Sequence, residues 1–137
     1  MKVKTETLKG AALDWAVAKA EGVRTYTAPY QHTTTGLCVL DADLVDMETD
    51  GPQELRYSRD WSQGGPIIER EGIEILCNVT DREAERFAEG THADWFACLK
   101  TRKASHWHGQ TPLVAAIRCY VASRLGEEVD IPEELTR

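Results

Sequence analysis

The stretch TPLVAAIRCYVASRLG, residues 111–126, carries the strongest structural pattern in the chain. Thr111 is a favourable N-cap residue, and Pro112 suits the first helical position because an N–H there would lack an intrahelical partner anyway. Gly126 follows where a left-handed residue would end a helix. Apolar side chains recur between these signals at helical spacing, so the segment predicts a helix with one face in the core. That face comprises Leu113, Ala116, Ile117 and Tyr120, widened by Val114, Val121 and Leu125.

A second helix is predicted near the amino terminus, over residues 9–21. Its apolar positions fall at i, i+3, i+4 and i+7, which is one face of a 3.6-residue period. Gly22 follows as the expected left-handed stop. The small alanines would allow this helix to approach a sheet or another helix closely. The four apolar positions are Leu13, Ala16, Val17 and Ala20.

Several shorter segments have strand character. Residues 37–40 and 94–99 are rich in apolar and β-branched or aromatic residues, which favours extended structure. Residues 67–68 and 73–77 predict a hairpin with Glu71-Gly72 as its turn. The alternation of Val129 and Ile131 predicts a short edge strand that Pro132 ends.

The remaining segments predict loops and one short helix. Residues 41–54 are acidic and contain the breaker Asp50-Gly51-Pro52, which is typical of a solvated loop. Residues 57–66 are also expected to form a loop, because two glycines and a proline cannot continue a helix or a central strand. Thr80 and Glu83 form a capping box for a helix that would stop at Gly90. The sum is an α+β fold in a single domain, 1–137, with a small antiparallel sheet, two main helices and one short helix.

Composition excludes several classes of protein. The 137 residues are 42% hydrophobic and 28% charged, the balance of one ordinary soluble domain. Sixteen Lys and Arg against 23 Asp and Glu give a net charge of −7, which argues against general binding to duplex nucleic acid. No apolar run approaches the roughly 20 residues that span a bilayer, and the amino terminus has no apolar signal core. We therefore expect a cytoplasmic protein that does not bind membranes.

The cysteines and histidines predict neither disulfides nor a metal site. Four widely spaced cysteines in a chain without a secretory signal are expected to be free, buried thiols. His106 and His108 have metal-ligand spacing, because residues two apart on a strand share a face. A third ligand, such as His92 or Asp94, would have to come from elsewhere in the fold. A solvated loop without metal is the favoured interpretation.

The best candidate for ligand recognition is the polar segment 57–66. Tyr57 or Trp61 could stack on a base, a contact worth roughly 1–3 kcal/mol. Arg59 has the planar fork that suits phosphate, and Asp60 could accept a hydrogen bond from a ribose hydroxyl. Backbone N–H groups could approach a ligand closely at the two glycines. The alternative is that the tryptophan fills the core and the other residues shape a turn. The candidate ligand-binding residues are Tyr57, Arg59, Asp60, Trp61, Gln63, Gly64 and Gly65.

The start of the last helix is a second candidate. Residues 109–112 would present unpaired N–H groups and the positive end of a helix dipole, which can hold an anion. If this element met the segment 57–66, with Arg118 nearby, the pocket would suit a phosphorylated nucleoside. Thr111 and Arg118 therefore join the candidate residues. The signal is not that of a P-loop, because the pattern G-x-x-x-x-G-K-[ST] is absent.

Catalysis has less support in the sequence. Ser58, Ser62 and Ser105 lack a nucleophile-elbow context, and the cysteines have no recognisable helix-start or histidine partner. No nucleophile, base and oxyanion donor can be named together, so we expect a protein that is not an enzyme and needs no cofactor.

Three ordered blocks of the sequence support a family resemblance. They are residues 10–22, residues 57–73 and residues 111–126, followed by the acidic tail around Ile131-Pro132. In this order they resemble the NinX-like proteins of tailed phages and prophages, over about the whole chain. The resemblance implies a small phage accessory protein, encoded among dispensable early genes and acting in the host cytoplasm. It transfers no catalytic residue.

Two functions follow as expectations, with an enzyme of unknown reaction as a third. The first is a non-enzymatic accessory protein that binds and sequesters a nucleotide-like small molecule, since phage genes of this kind often counter host defence. The second is an acidic inhibitor or adaptor that docks on a host protein, with residues 41–54 and 127–134 facing a basic partner. A homo-oligomer would let so small a domain build a deeper pocket between subunits.

Overall fold

The structure, a computed structural model, describes residues 1–29, 37–77 and 95–136. The predicted α+β class is confirmed, but the described strands form three small antiparallel sheets instead of one. The helices are α1 (Gly10–Glu21), α2 (Trp61–Glu71) and α3 (Pro112–Leu125), with short 3-10 helices at Thr5–Thr7 and Glu133–Leu135. The strands are β1 (Lys2–Lys4), β2 (Thr25–Pro29), β3 (Leu37–Asp46), β4 (Gly51–Glu54), β5 (Ile73–Cys77), β6 (Trp95–Leu99), β7 (Arg102–Gly109) and β8 (Glu128–Asp130).

Helix α3 lies in the core, as its apolar face predicts. The Thr111 hydroxyl accepts a hydrogen bond from the N–H of Val114 at 3.1 Å, and Gly126 ends the helix with a φ of 91°. Helices α1 and α2 and strands β5, β6 and β7 all contact α3. Because it is covered on more than one side, its buried face is wider than the predicted one and includes Ala115 and Cys119.

Helix α1 agrees with its prediction at both ends. It begins at Gly10, and Gly22 ends it with a φ of 75°, a left-handed conformation that glycine adopts without a steric penalty. The expected core residues Leu13, Ala16 and Val17 are fully buried.

The three sheets have simple topologies. Strand β3 lies between β2 and β4, and β6 lies between β5 and β7. Strand β8 pairs with β1, so that Val3 lies opposite Val129 and the two ends of the described chain are held together. The predicted strands at 37–40 and 94–99 are confirmed, and the predicted strand at 129–131 is found at Glu128–Asp130.

The prediction of a solvated loop at 41–54 is wrong. Strand β3 continues to Asp46 and turns into β4, with Val45 opposite Pro52. The buried carboxylate of Asp41 accepts hydrogen bonds from the N–H groups of Asp43 at 2.8 Å and Leu44 at 3.2 Å. These bonds satisfy the backbone where the register of the pair shifts, and the other acidic side chains can face solvent.

The predictions of a loop over all of 57–66 and of a hairpin at 67–77 are also wrong, although the predicted strand at 73–77 is found as β5. Helix α2 runs through Gly64, Gly65 and Pro66, and a left-handed Gly72 ends it just before β5. Pro66 has no N–H to donate to the carbonyl of Ser62, so one helical hydrogen bond is missing. The strong N-cap described below and the burial of Ile67 in the core favour the helix despite this loss.

Two further expectations concern the helix at 80–90 and the cysteines. The predicted helix lies outside the described residues. All four cysteines are free, and Cys38, Cys98 and Cys119 are buried, but Cys77 is exposed at the end of β5, contrary to the prediction. Within the described ranges, no helix is long and apolar enough to cross a membrane.

Candidate functional site

A completely buried carboxylate, Asp14 of α1, holds the segment between β4 and α2. Its Oδ1 accepts hydrogen bonds from the N–H of Ser58 at 2.8 Å and from the Ser58 hydroxyl at 2.7 Å. Its Oδ2 accepts one from the guanidinium of Arg59 at 3.0 Å. Burial raises the pKa of Asp14, although the hydrogen bonds from Ser58 and the charge of Arg59 act in the opposite direction. Asp14 is not among the residues predicted from the sequence; an aspartate within the apolar stretch AALDWAVA was the available signal.

Arg59 connects this buried carboxylate to a surface cleft. Its guanidinium lies 3.6 Å from Oε1 of Glu54 as well as 3.0 Å from Asp14, and the side chain is 40% exposed. The guanidinium is therefore held by Asp14 and Glu54, while the partly exposed Arg59 side chain also lines the cleft. A side chain held in this way loses little freedom when it binds a further group.

The cleft has a volume of about 990 Å³ and lies among the amino-terminal segment, the start of α1, strand β3 and the segment 54–59. Three cationic side chains line it, Lys9, Arg56 and Arg59, against the two carboxylates Glu54 and Glu134. Lys9 occupies the N-cap position of α1 and makes no side-chain hydrogen bond to the helix. The cleft thus presents three cationic side chains, one of them held by Asp14, beside an apolar wall. The apolar wall comprises Met1, Val3, Leu8, Ala11, Ala12, Leu37 and Leu135.

Two of the predicted ligand-binding residues instead hold the start of α2. Asp60 is the N-cap, accepting hydrogen bonds from the N–H of Ser62 at 2.9 Å and from its hydroxyl at 2.7 Å. These bonds lower the pKa of Asp60. The amide of Gln63 accepts from the N–H of Arg56 at 2.6 Å and donates to the carbonyl of Glu54 at 3.0 Å. The Asp60 side chain therefore fixes the start of α2, and the Gln63 side chain fixes the backbone beside Arg56.

The two glycines differ in their surroundings. A Cβ on Gly64 would collide with the carbonyl oxygen of Tyr57 and lie 2.7 Å from Cδ1 of Leu113. The nearest atom to a Cβ on Gly65 would be Cε3 of Trp61, at 4.0 Å. Gly64 therefore serves the close packing of α2, and neither glycine belongs to a ligand-binding loop of the predicted kind.

The two aromatic candidates lie outside the wall of the cleft. Tyr57 is half-buried against the core, where burial and the nearby carboxylates of Glu21 and Asp41 raise its pKa to about 12. Trp61 is 53% exposed on the first turn of α2, so the alternative that it fills the core is wrong. Trp61 could stack on a partner from solvent, but it does not line the same cleft as Arg59.

The second predicted element lies in a different place. The Thr111 hydroxyl caps α3, and Arg118 donates to the carbonyl oxygens of Leu8 at 2.8 Å and His108 at 2.7 Å. Arg118 lines another cleft, of about 690 Å³, and burial lowers its pKa. The structure therefore does not bring Arg118 and Arg59 into one pocket, and Arg118 is occupied in joining the amino-terminal segment to β7.

His106 and His108 lie on β7, so the expectation of a loop is wrong, but they share a face as a strand requires. Both rings lie near Phe96, with centroids 5.0 Å and 6.0 Å from the phenylalanine ring. Over the described ranges, no group of three His, Cys, Asp or Glu side chains is placed to hold a metal ion. The proposed third ligands His92 and Asp94 lie outside those ranges.

One family model matches most of the chain. The family model described as bacteriophage P22 NinX matches residues 4–124. The chain belongs to the NinX family. The match includes α1, the segment that bears Arg56 and Arg59, α2 and most of α3, so the cleft of this NinX-family protein lies largely in the matched part. No curated protein matches the chain significantly.

Proposed function

We propose that this NinX-family protein binds a nucleotide-like anion in the cleft beside Arg59 and sequesters it without catalysis. The observation that carries the proposal is that Lys9, Arg56 and Arg59 meet at one cleft, with Arg59 held in place by Asp14. In a chain of net charge −7, three cationic side chains and two carboxylates line this cavity of about 990 Å³. The volume is in the range of sites that enclose small molecules.

The contacts of Arg59 and Arg56 suit the phosphate of such a ligand. Guanidinium groups donate two parallel hydrogen bonds to phosphate oxygens, and charge-assisted bonds of this kind are stronger than neutral ones. Arg59 is prepositioned by Asp14, while Arg56 is exposed at the mouth of the cleft. The sugar and base would then contact the apolar wall that Leu8, Leu37 and Leu135 provide.

The cysteine in the cleft supports binding over covalent catalysis. The Sγ of Cys38 donates to the carbonyl of Ala28 at 3.4 Å, and burial and the charge of Glu54 raise its pKa. The thiolate is the reactive form of cysteine, and these surroundings disfavour it. A ligand held here would therefore be retained unchanged.

Calorimetric titration of the purified protein with mono- and cyclic nucleotides, NAD derivatives and inorganic phosphate tests the proposal. We expect at least one nucleotide to bind, and Arg56→Gln to weaken that binding by about tenfold or more through loss of a charge-assisted hydrogen bond. Arg102→Gln, an exposed charge on β7 outside the cleft, should leave the affinity unchanged.

Two results would contradict the proposal. Heat signals absent across the whole panel would refute the function. Nucleotide binding that survives Arg56→Gln but is lost in Trp61→Ala would refute the cleft, because it would place the ligand on the exposed first turn of α2.

Family membership suggests the biological use of such binding. A phage-encoded protein that holds a nucleotide without consuming it would withdraw that molecule from the infected cell, which is an anti-defence role when the nucleotide is a host signal. Host cells that express the wild-type protein should contain less free nucleotide than cells that express Arg56→Gln. Equal concentrations at equal expression would contradict this role.

A further inference from the structure

The distal half of the β3–β4 hairpin projects beyond the sheet that supports it. Strand β2 pairs with β3 from Pro29 opposite Leu37 to Thr25 opposite Asp41. Beyond Asp41 the N–H of Ala42 still donates to the carbonyl of Arg24 at 2.9 Å, and the rest of β3 in the described part of the chain pairs with β4 alone. We call residues 42–52 the hairpin arm.

The exposure of the hairpin arm shows that solvent reaches both of its faces. Successive residues on a strand point to opposite faces, yet Leu44 is 56% exposed and Val45 is 59% exposed. Met47, in the turn, is 92% exposed. Three large apolar side chains within four residues, all in water, are characteristic of a surface that becomes covered by a partner.

The turn of the hairpin arm has a defined conformation. The N–H of Asp50 donates to the carbonyl of Asp46 at 2.8 Å, and the N–H of Glu48 donates to the Asp46 carboxylate at 2.8 Å. Arg24, immediately before β2, forms an ion pair with Asp43 at the base of the arm. The apolar side chains are thus presented by a preorganised element, so little conformational freedom is lost when a partner binds.

The charge of the hairpin arm indicates the chemistry of the partner. Residues 42–52 contain four carboxylates, Asp43, Asp46, Glu48 and Asp50, and no lysine or arginine. A second copy of this acidic chain would bring like charge against the arm, whereas a basic surface would be attracted to it. We infer that the hairpin arm is a docking element that inserts Leu44 and Met47 into an apolar pocket rimmed by Lys and Arg on another protein. This inference is independent of the nucleotide cleft.

Site-specific photo-cross-linking identifies the partner. A photoreactive amino acid is placed at Met47 or, as a matched control, at the exposed Leu76 of β5, and both full-length proteins are expressed in host cells. We expect one host protein to be cross-linked from position 47 and not from position 76. That protein is then identified by mass spectrometry, purified and titrated with the full chain at several salt concentrations.

The titration decides whether the contact is the one inferred. Leu44→Ser and Met47→Ser should each weaken binding by about tenfold or more, and the affinity should fall as salt rises. Glu48→Gln should weaken binding at low salt more than Glu69→Gln, an exposed charge on α2. Leu76→Ser should have no effect.

Three outcomes would overturn the inference. The first is a cross-link between two copies of this chain. The second is an equal cross-link yield from positions 47 and 76, including no cross-link from either. The third is a partner whose affinity does not change with salt, or does not change in either Leu44→Ser or Met47→Ser. None of these results bears on nucleotide binding in the cleft, so the two proposals fail separately.

Discussion

The guanidinium of Arg59 lies 3.0 Å from the carboxylate of Asp14, a side chain with no exposed surface. The pair connects the buried face of α1 to the wall of the cleft across 45 positions of sequence. It fixes one arginine of the candidate site, and with Ser58 it satisfies both oxygens of a carboxylate that would otherwise be buried without partners.

Replacement of Asp14 by asparagine should change how stability depends on pH. The folded-state pKa of Asp14 is raised above 3.8, so between 3.8 and the folded-state value the native protein binds more protons than the unfolded chain. The contribution of Asp14 to the free energy of unfolding is therefore complete below 3.8 and decreases as pH rises through the raised pKa. Urea unfolding at a series of pH values measures the free energies of unfolding of wild type and Asp14→Asn. The difference between the two should shrink as pH rises.

Carboxylates with lowered pKa values act in the opposite sense. Asp43, Asp60 and Asp130 stabilise the fold above their unfolded pKa values and lose that contribution on acidification. These three carboxylates are present in both wild type and Asp14→Asn, so their contributions cancel in the difference between the two free energies of unfolding. A difference that grows with rising pH would show that the attraction to Arg59 outweighs the burial of Asp14.

Alanine at Gly64 and alanine at Gly65 should have opposite effects on stability. The new Cβ at position 64 would overlap the Tyr57 carbonyl and Leu113, and overpacking of this kind costs about 1–3 kcal/mol. The new Cβ at position 65 has no neighbour closer than 4.0 Å, so the helix should gain about 0.5–1 kcal/mol from the loss of a glycine. Chemical unfolding of the two variants provides the measurement. A Gly64→Ala protein as stable as wild type would show that the close contact at Gly64 is not formed.

Removal of Arg118 should cost stability without affecting the nucleotide cleft. Arg118→Met leaves the carbonyl oxygen of Leu8, in a part-buried contact, without its donor, at a cost of about 1–3 kcal/mol. The carbonyl of His108 is exposed, so water can replace its donor. Arg102→Met serves as the control, because Arg102 is exposed on β7. Unfolding and nucleotide titration are measured on the same preparations. A stable Arg118→Met protein that has lost nucleotide affinity would assign Arg118 to the ligand and not to the fold.

Alkylation should distinguish one cysteine from the other three. Cys77 is exposed, whereas Cys38, Cys98 and Cys119 are buried, and burial raises the pKa of Cys119 to about 11. Since the thiolate reacts, brief treatment of the folded protein with iodoacetamide at neutral pH should add one group, on Cys77. Treatment in denaturant should add four, and intact-mass and peptide analysis read both results. Rapid alkylation of Cys119 in the folded protein would contradict the packing of α3.

The sequence predicted those helices whose signals are local. Thr111, Pro112 and Gly126 specify the ends of α3, and the apolar spacing between them specifies its buried face, because capping and helical period involve only residues within a few turns. The same holds for α1 and Gly22. For the candidate site, the sequence predicted Arg59 as a ligand-binding residue, and Arg59 does line the cleft. The same prediction grouped it with Gln63 and Asp60, whose side chains hold the backbone.

Helix α2 shows why the rest could not be predicted. Gly64, Gly65 and Pro66 disfavour a helix locally, but the packing of Gly64 against Leu113 and the burial of Ile67 come from residues far away in sequence. The β3–β4 pairing likewise depends on cross-strand partners and on the turn. The acidic and turn-forming residues of 41–54 do not by themselves specify either one.

The sequence by itself determined the family, the α+β class and the two capped helices, because each depends on residue identity and short-range spacing. Only the tertiary structure decided which charges meet. The buried Asp14 and the partly exposed Arg59 form an ion pair because α1 and the segment before α2 pack together, whereas Arg59 and Arg118 line separate clefts. Electrostatic and packing energies depend on distance in space, which sequence separation does not specify.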